Sequence, residues 1–215
     1  RDPGRSTVLA RNPYFKGDRP ANPDTIAFTP NVNVDQSLLQ VKAGQADIDM
    51  IGVPPTATAS LAQQYGVNKG RFFVGPTSCV NYMGMNTARA PFNDVNLRKA
   101  VNWAIDRPAQ VRLLGAYAGQ RTSQVLVPGI PGYKSFKAYA LKGADVAKAK
   151  SVGGAAIDSA PTLNVIHTTS SYATNRAQVA EYNLKQVGFK ITDVPTPATN
   201  YYQVIQTKGT TYNFV

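Results

Sequence analysis

Apolar residues recur along this chain in short runs whose period switches repeatedly between that of a strand and that of a helix. Thr25-Ile26-Ala27-Phe28-Thr29 alternates polar and apolar side chains, as a half-buried strand does, and Val8-Leu9-Ala10 is a shorter strand candidate. Leu38, Leu39 and Val41 form one face of a predicted helix that Asp35 can cap and Gly44 can end. Residues 46–51 read as a strand ending at Gly52. Residues 56–65 read as a helix opened by Pro54-Pro55 and closed by Gly66, and residues 71–74 as a strand running into Gly75-Pro76. Strand and helix in such quick alternation, with glycine or proline at the junctions, predict an α/β fold.

The pattern continues through residues 79–107, CVNYMGMNTARAPFNDVNLRKAVNWAIDR. They predict a strand ending at Asn86, a loop holding Pro91-Phe92, and a helix capped by Asp94. In that helix Val95, Leu97, Val101, Ala104 and Ile105 recur at helical spacing. Pro108 sits at the start of a second helix, where a missing N–H costs little. Residues 120–143 are loop-like around Val127-Pro128-Gly129-Ile130-Pro131-Gly132-Tyr133. A connection that long is expected to pack against something or to carry function. Beyond it the periodicity predicts a helix over 144–152, a strand over 162–167 and an amphipathic helix over 173–187 that stops at Gly188. A strand over 189–194, a short helix over 199–207 and a strand over 212–215 complete the pattern. The Gly-Pro turn within 75–79 is the best boundary between two α/β patterns.

The chain has 215 residues, enough for one large domain or two small ones, and 43% of them are hydrophobic. No apolar run approaches the roughly 18–20 residues of a membrane span. The opening residues carry no apolar segment of a signal peptide. The net charge of +11 invites a nucleic-acid reading. Its lysines and arginines are scattered singly, however, and no RNA-binding aromatic motif, zinc-finger spacing or helix-turn-helix signal accompanies them. A solvated basic surface is the better account. Cys79 has no second cysteine to pair with, and with His167 as the sole histidine a Cys/His zinc site is not built.

Candidate chemistry is thin. Asp47 and Asp49 would share a face of the predicted strand, with no acid–base partner in evidence. His167 precedes Thr168-Thr169-Ser170-Ser171; without a nucleophile elbow or an acidic third member this reads as a strand end followed by a helix cap. Cys79 is as well explained as a small hydrophobe as a nucleophile. Asp106-Arg107 and Arg98 read as structural charges near helix ends. A hydrolase built on Cys79 or His167, and a basic domain binding nucleic acid or another anion, remain as alternatives.

The ordered motifs carry a resemblance. Pro91-Phe92-Asn93-Asp94, Leu97-Arg98-Lys99-Ala100 and Ala104-Ile105-Asp106-Arg107 resemble the central segment of family 5 extracellular solute-binding proteins. That family is the peptide- and nickel-binding group that feeds ABC importers. Arg11-Asn12-Pro13-Tyr14-Phe15, Asp24-Thr25-Ile26, Ala43-Gly44-Gln45-Ala46-Asp47-Ile48, residues 145–150 and Gly188-Phe189-Lys190-Ile191 resemble further family segments, in the family's order.

The resemblance implies a periplasmic-binding-protein-like type II fold, with mixed sheets flanked by helices, present here incompletely. Family members are roughly twice this length, larger than one typical domain. Residues 1–78 would be the second segment of lobe I and residues 79–215 the first part of lobe II, so the chain is expected to be an internal piece of a longer receptor. Carried over by position, ligand contacts would fall on Ile51, Gly52 and Val53, on Thr77, Cys79, Asn81 and Tyr82 at the lobe crossover, and on Tyr172. Backbone groups at strand ends would take a peptide main chain as an added strand, with Tyr82 stacking and Asn81 supplying amide bonds.

The implied function is non-catalytic: capture of a small solute, an oligopeptide foremost, and its delivery to ABC permease subunits from an extracellular or periplasmic position. No cofactor and no nucleic-acid partner is implied. Peptide, nickel chelate, haem and oligosaccharide are not distinguished. Cut lobes would also expose apolar edges, so self-association is expected.

Overall fold

The structure, a computed structural model, describes residues 5–20, 22–30, 33–75, 77–117 and 119–207. The strand expected over 212–215 lies outside them. The chain forms two units, Arg1–Thr58 and Ala59–Val215.

In the first unit, strand β1 (Thr7–Ala10) pairs antiparallel with β2 (Thr25–Phe28), in a register running from Thr7 opposite Phe28 to Ala10 opposite Thr25. The Arg11 amide continues the ladder to the Asp24 carbonyl at 2.8 Å. Arg11 Nη2 meets Asp24 Oδ1 at 3.1 Å. Helix α1 (Val34–Lys42) is capped by Asn33, whose side chain accepts from the Gln36 amide at 2.8 Å, so the cap lies two residues before the expected Asp35. The strand expected over 46–51 does not form. Asp49 Oδ1 instead accepts from the Ile51 and Gly52 amides at 2.9 and 3.2 Å, a local turn that competes with a ladder. Asp47 and Asp49 therefore do not share a strand face. Of the described residues in this unit, only Pro54 and Thr58 are buried.

The second unit has a continuous core. Helix α2 (Thr58–Tyr65), which starts at the division between the units, follows a 3₁₀ turn at Pro55–Ala57. The strand expected over 71–74 is reduced to a bridge between Val67 and Phe72. Asn68, at φ 58°, folds the segment back: its side chain accepts from the Val74 amide at 2.7 Å and donates to the Val74 carbonyl at 3.0 Å. The strand expected over 79–86 is likewise absent. Only Met85 makes a bridge there, and Met83 and Met85 pack against the core instead.

Helix α3 (Val95–Ala104) is capped by Asp94, which accepts from the Asn96 amide at 2.7 Å. Leu97, Ala100, Val101 and Ala104 are its buried stripe, whereas Val95 is exposed and Ile105 lies beyond the helix end. Helix α4 (Arg107–Arg112) starts directly after, capped by Asp106. Helix α5 (Val146–Gly153) lies against α3. A Cβ on Gly153 would stand 2.5 Å from Ile157 Cδ1 and 3.2 Å from Ala100 Cβ, so the close approach needs glycine. Strand β3 (Leu163–Thr168), helix α6 (Ser171–Val187) and strand β4 (Ile191–Thr196) form a parallel βαβ unit with Leu163 opposite Ile191 and Thr168 opposite Thr196. Gly188 ends α6 at φ 119°, a left-handed position that glycine occupies without strain. Helix α7 (Ala198–Gln206) follows. Phe92, Leu163 and Leu184 are the largest fully sequestered side chains.

The long segment 120–143 is a loop, as expected, and it is braced. Arg107 Nε donates to the Thr122 carbonyl at 3.0 Å, and Nη1 to the Asn102 and Ala140 carbonyls at 2.9 and 3.5 Å. Gln124 donates to the Leu126 and Lys134 carbonyls and accepts from the Phe136 amide. Arg107 is thus a structural charge: it donates to the Asn102 carbonyl in the last turn of α3, where a cation meets the negative end of the helix dipole, and it ties that end to the loop. Burial lowers its guanidinium from the ordinary value, while Tyr139 works in the other direction.

Candidate functional site

Among the described residues of the second unit, a larger and a smaller hollow stand out. The larger, about 380 Å³, lies between α4 and α6 and contains none of the sequence-predicted contact residues. The smaller, about 150 Å³, is built around one of them, Tyr82. Its floor is β3 from Val165 to Thr168. Its wall is the face of α6 that carries Ala173, Ala177 and Ala180. These positions fall at i, i+4 and i+7, so they share one side of the helix, and their short side chains leave the space open. Tyr82 and Met83 close one side and Tyr201 of α7 another.

Arg176 is the cation at this hollow. Its guanidinium stands 5.3 Å from the centre of the Tyr172 ring, within the range of a cation–π contact. Gln110 Nε2 donates to the Arg176 carbonyl at 3.0 Å. The Tyr172 hydroxyl is buried and has no hydrogen-bond partner. Ser170 caps α6 by accepting from the Ala173 amide at 3.3 Å, and Thr168 Oγ1 lies 3.1 Å from Ser170 Oγ. The hydroxyl-rich run after His167 is therefore the helix cap that the sequence suggests.

His167 is buried within β3 and does not end it. Its Nε2 is 2.7 Å from Asp193 Oδ1 on β4 and its Nδ1 is 2.7 Å from the Thr168 carbonyl. Glu181 of α6 is also buried. Burial raises its carboxyl above the ordinary value of 4.5; Asp193 adds to the rise and Lys185 opposes it.

The sequence-predicted residues divide between the units. Ile51, Gly52 and Val53 belong to the first, and the amides of Ile51 and Gly52 are taken by Asp49. They are not open donors for an added strand. Thr77, Cys79, Asn81 and Tyr82 belong to the second and are exposed; of these four, Tyr82 alone lines the hollow. Tyr172 reaches the same neighbourhood through Arg176. Cys79 is a free thiol that does not line the hollow where His167 sits, so the geometry does not assemble a Cys/His pair. Arg176, Thr168 and Tyr201 were not singled out from sequence. The alanine spacing at 173, 177 and 180 was the legible signal for the helix face that makes room for them.

Comparison with known proteins agrees with the motif order. The family described as bacterial extracellular solute-binding proteins, family 5 Middle, matches residues 1–214. The periplasmic oligopeptide-binding protein OppA of Haemophilus influenzae is 29% identical over 119 residues, covering 55% of this chain and 21% of its own length. The glutathione-binding protein GsiB of Escherichia coli is 26% identical over 169 residues, covering 78% of this chain and 32% of its own. The crystal structure of a periplasmic oligopeptide-binding protein of Borrelia burgdorferi superposes with a TM-score of 0.73 at 18% identity, covering 100% of this chain and 42% of that one. The chain thus spans about a fifth to a third of the curated relatives it matches. By their names these relatives are binding proteins, and no helix among the described residues is long and apolar enough to cross a membrane. With the family matched along almost its whole length, the chain belongs to the bacterial extracellular solute-binding proteins, family 5.

Proposed function

We propose that this chain is the central part of a solute-binding receptor of an ABC importer, with residues 1–78 in one lobe and residues 79–215 in the other. The receptor holds a small solute, an oligopeptide foremost, in an interlobe cleft outside the cytoplasmic membrane. Hinge closure over the solute precedes delivery to the permease. The observation that carries this reading is the hollow beside Tyr82. It has aromatic and aliphatic walls, a floor of β3 and Arg176 among its described lining residues, the kind of site that takes an apolar side chain and orients it with few polar groups. Tyr82, exposed over 74% of its surface, is the residue best set to stack on a solute. Thr77, Cys79 and Asn81 would line the approach, with Ile51 and Val53 contributing side chains and Gly52 bare backbone from the first unit.

Mass spectrometry of solute carried by the full-length receptor, purified without refolding, tests this. Short peptides released on denaturation are the expected result. A nickel chelate, haem or an oligosaccharide would replace the peptide assignment. A receptor that carries nothing and shows no thermal shift with any of these solutes would overturn the reading.

A further inference from the structure

From Arg107 to Ala144 the chain carries six Lys and Arg residues and no Asp or Glu. Four of the six, Arg121, Lys134, Lys137 and Lys142, are exposed in the loop over 120–143. None of these four makes an ion pair among the described residues. The same loop exposes Val125 by 75%, Leu126 by 45% and Phe136 by 59%. Single exposed apolar side chains are ordinary, but a group of them on one braced element marks an interaction site.

The loop is held in shape, so this surface exists before any partner arrives. Gln124 Nε2 donates to the Leu126 carbonyl at 3.0 Å and to the Lys134 carbonyl at 3.1 Å, and its Oε1 accepts from the Phe136 amide at 3.1 Å. Ser123 Oγ accepts from the Ala138 amide at 3.1 Å. These bonds tie the arm over 123–126 to the arm over 134–138. The backbone that carries Val125 and Leu126 therefore lies beside the backbone that carries Phe136, with Lys134 and Lys137 flanking Phe136 in sequence. Tyr139 fastens the second arm to the helices: its ring centre lies 5.5 Å from that of Trp103 on α3 and 5.8 Å from the Arg107 guanidinium on α4.

We propose that the loop over 120–143 is a peripheral contact with an anionic lipid bilayer, its apolar side chains entering the headgroup boundary and its cations pairing with lipid phosphates. Three features select lipid over other anions. Aliphatic Val125 and Leu126 have no counterpart in a nucleic acid, whose phosphates and bases take cations, polar groups and aromatic rings. A protein partner needs packed, shape-complementary apolar contacts, whereas a lipid interface takes apolar side chains beside lysines without a matching shape. The family is described as extracellular, which keeps its members away from cytoplasmic nucleic acid. The contact is independent of the hollow beside Tyr82, none of whose described lining residues lies in the loop. Its failure and that of the receptor reading are therefore separable.

Co-sedimentation of the 215-residue chain with phospholipid vesicles at physiological ionic strength tests this. The chain should partition onto vesicles of phosphatidylglycerol and phosphatidylcholine in equal parts and not onto phosphatidylcholine alone, and added salt should weaken the binding. Lys134→Gln with Lys137→Gln should lower partitioning about 25-fold, since each cation near an anionic surface contributes about fivefold. Phe136→Ser should lower it about tenfold through lost apolar burial. Lys69→Gln with Lys190→Gln removes the same charge from exposed positions outside the loop and should lower it far less, because charges away from the surface are screened. Equal binding to both vesicle types, equal losses from the two lysine pairs, or a Phe136→Ser variant that binds as the wild type does would overturn the assignment. A chain that ignores the vesicles but is retained by polyglutamate or a DNA duplex would overturn it too, and would give the surface to another anion.

Discussion

The two units of this chain share one grammar of short strands and helices, yet they differ in what lies over their apolar faces. In the second unit, Leu97, Ala100, Val101 and Ala104 of α3 meet Ala149 of α5 and Ala180, Leu184 and Val187 of α6 in one core. In the first unit, Val8, Leu9, Ile26 and Leu39 are exposed by 46% or more, and α1 buries none of its residues. A two-stranded hairpin is marginal in water without a packed face. Amphipathic patterning therefore records that a face needs covering, and not that the cover lies within these residues. The chain spans only about a fifth to a third of its curated relatives, which fits an uncovered first unit and a nearly self-sufficient second one.

Separating the units would sharpen this difference most. Residues 59–215 alone should give a cooperative thermal transition and dispersed NMR amide signals. Residues 1–58 alone should give neither. A first unit that melts cooperatively by itself would erase the contrast.

Single truncations should divide in the same way. Leu184→Ala, at a fully buried position, should cost about 2–5 kcal/mol in denaturant unfolding, from lost transfer energy plus a cavity. Leu39→Ala, 64% exposed, should change stability by no more than about 0.5 kcal/mol.

Within the second unit, Arg107→Ala should loosen the 120–143 loop while sparing the α3–α5–α6 core. Hydrogen bonds from a charged donor are worth about 1.5–3 kcal/mol each at most, and Arg107 gives several to backbone carbonyls. Limited proteolysis should cut after Arg121 or Lys134 first, with the remaining core intact.

The smallest effect is electrostatic. The Glu181 carboxyl is raised in the fold, so the folded state keeps its proton to higher pH than the unfolded chain does. The stability this gives is full below the ordinary glutamate value and is lost as pH rises through the folded value. Glu181→Gln should therefore flatten the fall in melting temperature between about pH 4.5, the ordinary value, and neutrality.

Much of the fold was legible where local signals agreed with packing. Asp94 and Gly188 marked helix ends because a cap and a left-handed residue act through adjacent backbone. The strands expected over 162–167 and 189–194 were readable from apolar runs bounded by turns, and form at 163–168 and 191–196, the second displaced by two residues. The misreadings share a cause. Residues 46–51, 71–74 and 79–86 have strand-like composition, but a ladder needs a neighbour. Asp49 and Asn68 capture backbone amides locally instead. For the candidate site, Tyr82 was reachable by resemblance. Arg176 and Tyr201 were not, because they converge on β3 only through the packing of α6 and α7.

Hydrogen exchange on the full-length receptor, with and without a mixture of short peptides, tests the central claim most directly. The account predicts that peptide slows exchange at residues 51–53, 77–83 and 165–173, while α5, which contributes no residue to the hollow, is unchanged. Peptide that leaves 77–83 and 165–173 as fast as before, or protects other segments alone, would contradict it.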